Sequence, residues 1–203
     1  MEERIQLENN VYEKIKSYAE NAFNEAKSLL KIDKVDFKCI KEYEDNQYIA
    51  MYFPQKKMIQ IRADLVYIET YLLYKTFSGK SFEQCKQEKL FGELGPDLVA
   101  FIKASSNDSG PEFGRKYIKT IIFHEMRHAY QHYWVSYNTI MESIGGSPRA
   151  PRHWRKWRRE LAVTGKERWT EADANAYAAF MICPDVAEED VGPDVYNLIK
   201  EMK

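Results

Sequence analysis

Apolar residues recur three and four apart from Val11 to Leu30, at Ile15, Tyr18, Ala19, Ala22, Ala26, Leu29 and Leu30, and this stripe predicts an amphipathic helix. The period then changes to two. Val35, Phe37 and Cys39 alternate with Asp36 and Lys38, and the runs Tyr48 to Phe53 and Met58 to Arg62 flank Pro54-Gln55-Lys56-Lys57. One strand followed by a hairpin is expected there. Helical patterns return at Asp64 to Phe77, Phe82 to Leu90 and Pro96 to Lys103, broken by Ser78-Gly79, Gly92 and Gly95.

The most apolar segment opens at Pro111, with Ser109 before it as a cap, and runs to about Tyr137. Ile118, Ile121, Ile122, Phe123, Met126, Ala129, Tyr130, Tyr133 and Trp134 surround it on most sides, so a buried central helix is expected. Gly145-Gly146-Ser147-Pro148 breaks the chain, and a last substantial helix is expected from Thr170. The order helix, strands, helices predicts an α+β fold with a small, mostly antiparallel sheet.

Within the central helix lies His124-Glu125-Met126-Arg127-His128, an H-E-x-x-H sequence. Residues four apart on a helix differ by about 40° in direction and about 6 Å in rise, so both imidazoles can reach one metal ion. Glu125 projects to the side of that ion, where a carboxylate can act as general base towards water. Two histidines and a glutamate among Ile121, Ile122, Phe123 and Met126 are costly to bury without partners, and a metal would supply one. A catalytic zinc site takes a third protein ligand. His132 lies eight residues from His124, about 12 Å along the helix, and is expected to hydrogen-bond or to mark the helix end instead.

Downstream, Trp169-Thr170-Glu171-Ala172-Asp173-Ala174-Asn175 offers two carboxylates. Thr170 and Asp173 have capping-box spacing, which leaves Glu171 as the expected third ligand. The small residues Ala174 and Ala178 on its face would let the two helices approach. Asn175, one turn on, is expected to hold a ligand imidazole by its other nitrogen. The alternative for Glu171 is a first-turn acid that satisfies the helix dipole. A di-iron bundle would need a second E-x-x-H, but Ala129 and Ala150 stand three before His132 and His153. A deformylase-like site would need a cysteine in a glycine-rich setting, and neither Cys39 nor Cys85 has one.

These motifs, with E-x-x-A-N-x-Y-A from Glu171 and then Ala179-Phe180-Met181-Ile182-Cys183-Pro184, resemble the ImmA/IrrE-type and related phage metallopeptidases. Arg127 and Tyr130 depart from the small residues often found after the motif in that group. The resemblance implies a zincin-like domain with one zinc ion held by His124, His128 and Glu171, and Glu125 activating water. It further implies a protein or peptide substrate, such as a regulator encoded on a mobile element. Tyr137, His153 and nearby arginines are the candidates for stabilising the oxyanion.

Length and charge refine this picture. The chain has 203 residues, 44% of them hydrophobic, and a net charge of -1, so one domain over 1–203 is expected and a globally basic nucleic-acid binder is not. The neutrality is a cancellation. Arg149 to Arg168 carries eight basic and two acidic residues, a local charge of +6 within a basic insertion at about 145–168. There Trp154, Trp157 and Leu161 form an apolar face. In one reading the tryptophans pack on the core while the arginines are solvated or pair with the acidic tail from Asp185 to Asp194. In the other, Arg152, Arg155 and Arg159 contact an anionic substrate or nucleic acid. The second reading leaves room for a non-catalytic, metal-stabilised binding protein. Met1 to Asn10 holds three glutamates and no apolar run, and no long apolar stretch follows, so a cytoplasmic setting without a membrane span is expected. Three widely spaced cysteines, Cys39, Cys85 and Cys183, read as reduced structural thiols.

Overall fold

The computed structural model of the chain describes residues 7–41, 48–92, 94–149, 151–162 and 168–203. The fold is mixed α+β and 67% helical, with one three-stranded sheet among the described residues. Helix α1 (Asn9–Leu30) buries Ile15, Ala19, Ala22 and Ala26 of the predicted stripe together with Phe23, while Tyr18 and Leu30 are half-buried and Leu29 is exposed. It ends where Lys31 turns left-handed at φ 53° and its N–H caps the last turn.

Strands β1 (Asp36–Ile40), β2 (Ala50–Phe53) and β3 (Met58–Arg62) lie in the order β1-β3-β2. The hairpin is antiparallel, with Tyr52 opposite Ile59, but β1 pairs in parallel with β3, Phe37 opposite Ile59. The sheet is therefore mixed rather than mostly antiparallel. The outer side of β2 donates to Glu125 from Tyr52, so the side of the hairpin open to β1 is β3. β3 is paired on both sides and supplies the buried Ile59 and Ile61, which leaves β2 as the edge strand nearest the central helix.

Helices α2 (Ala63–Phe77), α3 (Phe82–Gln87) and α4 (Pro96–Ser105) follow. α3 opens on a capping box between Ser81 and Gln84 and is shorter than its pattern suggested, because Lys89 adopts φ 55°. The central helix α5 runs over 34 residues, Gly110–Ser143, with Tyr117, Ile122, Phe123 and Met126 all fully buried. It packs against α1, α4, β2, α6 (Trp154–Leu161) and α7 (Arg168–Ile182). α7 starts two residues before Thr170, so that residue sits inside the helix rather than capping it.

Two further helices, α8 (Glu188–Val191) and α9 (Pro193–Met202), close the acidic tail. α9, a helix beyond the one expected to be the last, buries Val195, Leu198 and Ile199 and opens on a first-turn proline. The tail's charge is used away from the basic segment. Asp190, 1% exposed, accepts from Lys86 at 2.5 Å and Lys103 at 2.9 Å. No described helix is long and apolar enough to cross a membrane.

Candidate metal centre

The helical spacing of His124 and His128 turns both rings to one side of α5, and their Nε2 atoms stand 3.1 Å apart. α7 brings Glu171 to the same point: Oε2 lies 3.3 Å from His124 Nε2, and Oε1 lies 3.2 Å from His128 Nε2. Nitrogen and oxygen ligands bind zinc at about 2.0–2.1 Å, so a tetrahedral site separates them by about 3.3–3.4 Å. Each arm of the Glu171 carboxylate faces one ring at about that spacing, and His124, His128 and Glu171 are the one group of histidine, cysteine and carboxylate side chains among the described residues whose ligand atoms, one from each, all lie within 4.8 Å of one another.

The far side of each ring determines what the near side can do. Gln131 donates through Nε2 to Thr170 O at 2.9 Å and to Asp173 Oδ2 at 2.8 Å, so its Oε1 is the atom that faces His128 Nδ1, 3.1 Å away. That oxygen only accepts, so His128 carries its proton on Nδ1 and presents a lone pair at Nε2. His124 Nδ1 faces Asp97 Oδ2 at 3.3 Å without hydrogen-bond geometry, so Asp97 acts on this ring through its charge. Two ring nitrogens and a carboxylate thus converge on one point, close enough to hold a metal ion. With protons alone, burial pushes the His124 imidazolium down while Asp97, Glu171 and Glu125 more than offset it, lifting its pKa to about 10. The two imidazoles in turn hold the Glu171 carboxyl well below the usual carboxylate range, against the opposing effect of burial. A divalent ion would take the place of that shared proton.

Asp97 was not singled out by the sequence. It sits in the first turn of α4 and is 7% exposed. A Cβ at Gly95 would approach Asp97 Oδ1 to 2.8 Å, so the glycine leaves room for the carboxylate. Pro96-Asp97 after a glycine is an ordinary helix start, and no pattern in the chain points from there to His124. Asn175, expected to orient a ligand ring, is not on either Nδ1; its Oδ1 lies 4.0 Å from that same Cβ position. Asp97 and Gln131 occupy the role instead.

Glu125 points to the side, as the spacing requires. Its Oε2 accepts the backbone N–H of Tyr52 at 2.7 Å, which ties it to the free side of β2. His132 packs its ring against Tyr52, centroids 5.4 Å apart, and burial together with His128 lowers its pKa to about 4. It is a neutral packing residue beyond the ligands.

Behind the ligands, α5 and α7 are locked by a buried ion pair. Arg127 Nε donates to Asp173 Oδ2 at 2.8 Å, and its second nitrogen donates to Oδ1 at 2.9 Å. The guanidinium lies 4.8, 5.2 and 5.5 Å from the Tyr130, Tyr177 and Trp157 ring centroids. Asp173, 1% exposed, therefore does not cap the helix as its spacing with Thr170 suggested; it holds Arg127 and Gln131. Ala174 and Ala178 are fully buried along α7.

The basic segment is placed differently from the ligands. Trp154 and Trp157 are buried, while Arg152, Arg155 and Arg159 are exposed. Arg155 and Arg159 border a groove of about 470 Å³ with Trp154, Arg158, Glu142 and Ala162. Arg158 pairs with Glu142 at 2.7 Å rather than with the acidic tail. Of the oxyanion candidates, His153 is engaged with Glu201 at 2.6 Å and stacks near Trp169. Tyr137 lies nine residues past His128, about 14 Å along the helix, in a row with Tyr133 and Trp134. Neither is presented to the ligand cluster. Lys166 lies outside the described residues.

No family profile, curated protein or solved structure matches the chain.

Proposed function

We propose that the protein is a zinc-dependent peptidase of zincin-like architecture. The observation that carries this reading is the convergence of the His124 and His128 Nε2 atoms and the Glu171 carboxylate on one point, with Gln131 behind the His128 ring and the Glu125 carboxylate at the side. Bound there, zinc would supply a Lewis acid for a carbonyl and make water acidic enough to react near neutral pH.

The chain's own residues account for the rest. Gln131 holds the His128 ring by Nδ1, and the Asp97 carboxylate stands behind Nδ1 of His124, so both rings turn Nε2 to the open side. The Tyr52 N–H fixes Glu125 through Oε2, so Oε1 takes the proton from water and passes it to the leaving amine. β2, the edge strand beside Glu125, offers the remaining outward backbone groups of its free side to an extended peptide. The resemblance to ImmA/IrrE-type metallopeptidases supports an intracellular protein as the substrate class.

Glu125→Gln is the test. The variant should keep its zinc and lose hydrolysis across a panel of peptides and unfolded proteins that the wild type cleaves. Equal cleavage by both would remove Glu125 from the reaction and the peptidase reading with it.

A further inference from the structure

Glu171 is in the first turn of α7, where a helix has four backbone N–H groups without intrahelical partners. These ends fray unless something accepts from them, and a frayed first turn would carry Glu171 with it. One acceptor comes from α6. Glu160 Oε2 accepts the N–H of Trp169 at 2.7 Å and of Thr170 at 2.9 Å, which satisfies two of the four with a negative charge at the positive end of the helix.

Other contacts from the same segment converge on the same turn. Lys156 Nζ sits 3.8 Å from the Trp169 ring centroid, and the His153 ring lies 5.5 Å from it. Trp157, fully buried, lies beside the Arg127 guanidinium that holds Asp173, two residues after Glu171. Gln131 from α5 takes the Thr170 carbonyl from the opposite side. The turn is thus held at its N–H groups by α6 and at its carbonyl by α5, one residue before the ligand.

We infer that Glu160 is a positioning residue for the metal centre: by capping α7 from the basic segment it holds Glu171 in register with His124 and His128. The inference rests on the metal-site reading of those three residues. It gives the segment between the two motifs a role in forming the site, independent of whatever its exposed arginines meet. Glu160 acts through Glu171 and touches neither histidine, so its effect on the metal must vanish when Glu171 is absent.

The experiment is a zinc-affinity cycle, by competition with a chromophoric chelator, on the wild type, E160A, E171A and the double variant. E160Q, which keeps a neutral acceptor of nearly the same size, is measured alongside as the variant least disturbing to folding. E160A should weaken zinc binding roughly tenfold, in the range seen when groups behind metal ligands are removed. E160Q should fall between it and the wild type. In the E171A background, where the two histidines alone hold zinc, E160A should change the affinity by less than about twofold. Unchanged affinity in E160A, or the same loss with and without Glu171, would overturn the inference while leaving the peptidase reading in place. Failure of the wild type to bind zinc would overturn both.

Discussion

Replacing Asp173 by alanine strands the Arg127 guanidinium between three aromatic rings, with no carboxylate to receive its donors. The Asp173 side chain is 1% exposed and that of Arg127 12%, so little water reaches the gap. Removing one partner of a buried, hydrogen-bonded pair costs about 3–5 kcal/mol. In a chain of about 200 residues each kcal/mol moves the melting temperature by about 2–4 °C, so a fall of about 6–20 °C is expected. The Gln131 amide also loses one of its two acceptors, which adds to the loss. Thermal unfolding followed by circular dichroism, with chelator present so that metal does not contribute, reads the effect. The double variant R127M/D173L, which replaces the pair by apolar side chains, should recover much of the fall. A drop below about 3 °C for D173A would show that the pair does not lock α5 to α7 and would refute the reasoning.

Gly95→Ala should leave the fold near its wild-type stability, since Gly95 has ordinary negative φ and a Cβ there meets only the end of the Asp97 side chain at close range, yet that Cβ would push the Asp97 carboxylate off His124. Zinc affinity should fall about tenfold, and D97N should do the same; affinity unchanged in both would remove Asp97 from the site. His132, held to about 4 by burial and His128, stays neutral in the folded chain while the unfolded chain protonates it below about 6.5. Its contribution therefore lowers stability as pH falls from about 6.5 towards 4, and H132Q should flatten that part of a denaturation series relative to the wild type. A parallel decline in both proteins would contradict this.

The amphipathic stripe of α1, the hairpin and the central helix were legible because each depends on local periodicity. His124 and His128 were legible for the same reason, since helical spacing alone places both rings. The sheet order was not: the strand that β1 joins depends on which side of the hairpin Glu125 occupies, a contact between residues 73 apart. Asp173 shows the limit of a spacing rule. Its offset from Thr170 matches a capping box, but burial against Arg127 outweighs the surface role, and the cap comes from Glu160 across another helix. Asp97 and Gln131 were hidden because neither has a local pattern; each acquires its role from the ring that tertiary packing brings to it. The cancellation of a basic segment against an acidic tail was visible as composition, while its partners were not. Asp190 pairs with Lys86 and Lys103, and Arg158 with Glu142.

The central claim is that His124, His128 and Glu171 hold one zinc ion. Zinc K-edge X-ray absorption on protein loaded with one equivalent tests it most directly. The account predicts nitrogen and oxygen scatterers at about 2.0–2.1 Å with the multiple-scattering signature of two imidazoles, reduced to one in His128→Ala. Sulfur scattering at about 2.3 Å, which would bring in Cys39, Cys85 or Cys183, or a spectrum unchanged by His128→Ala, would contradict it.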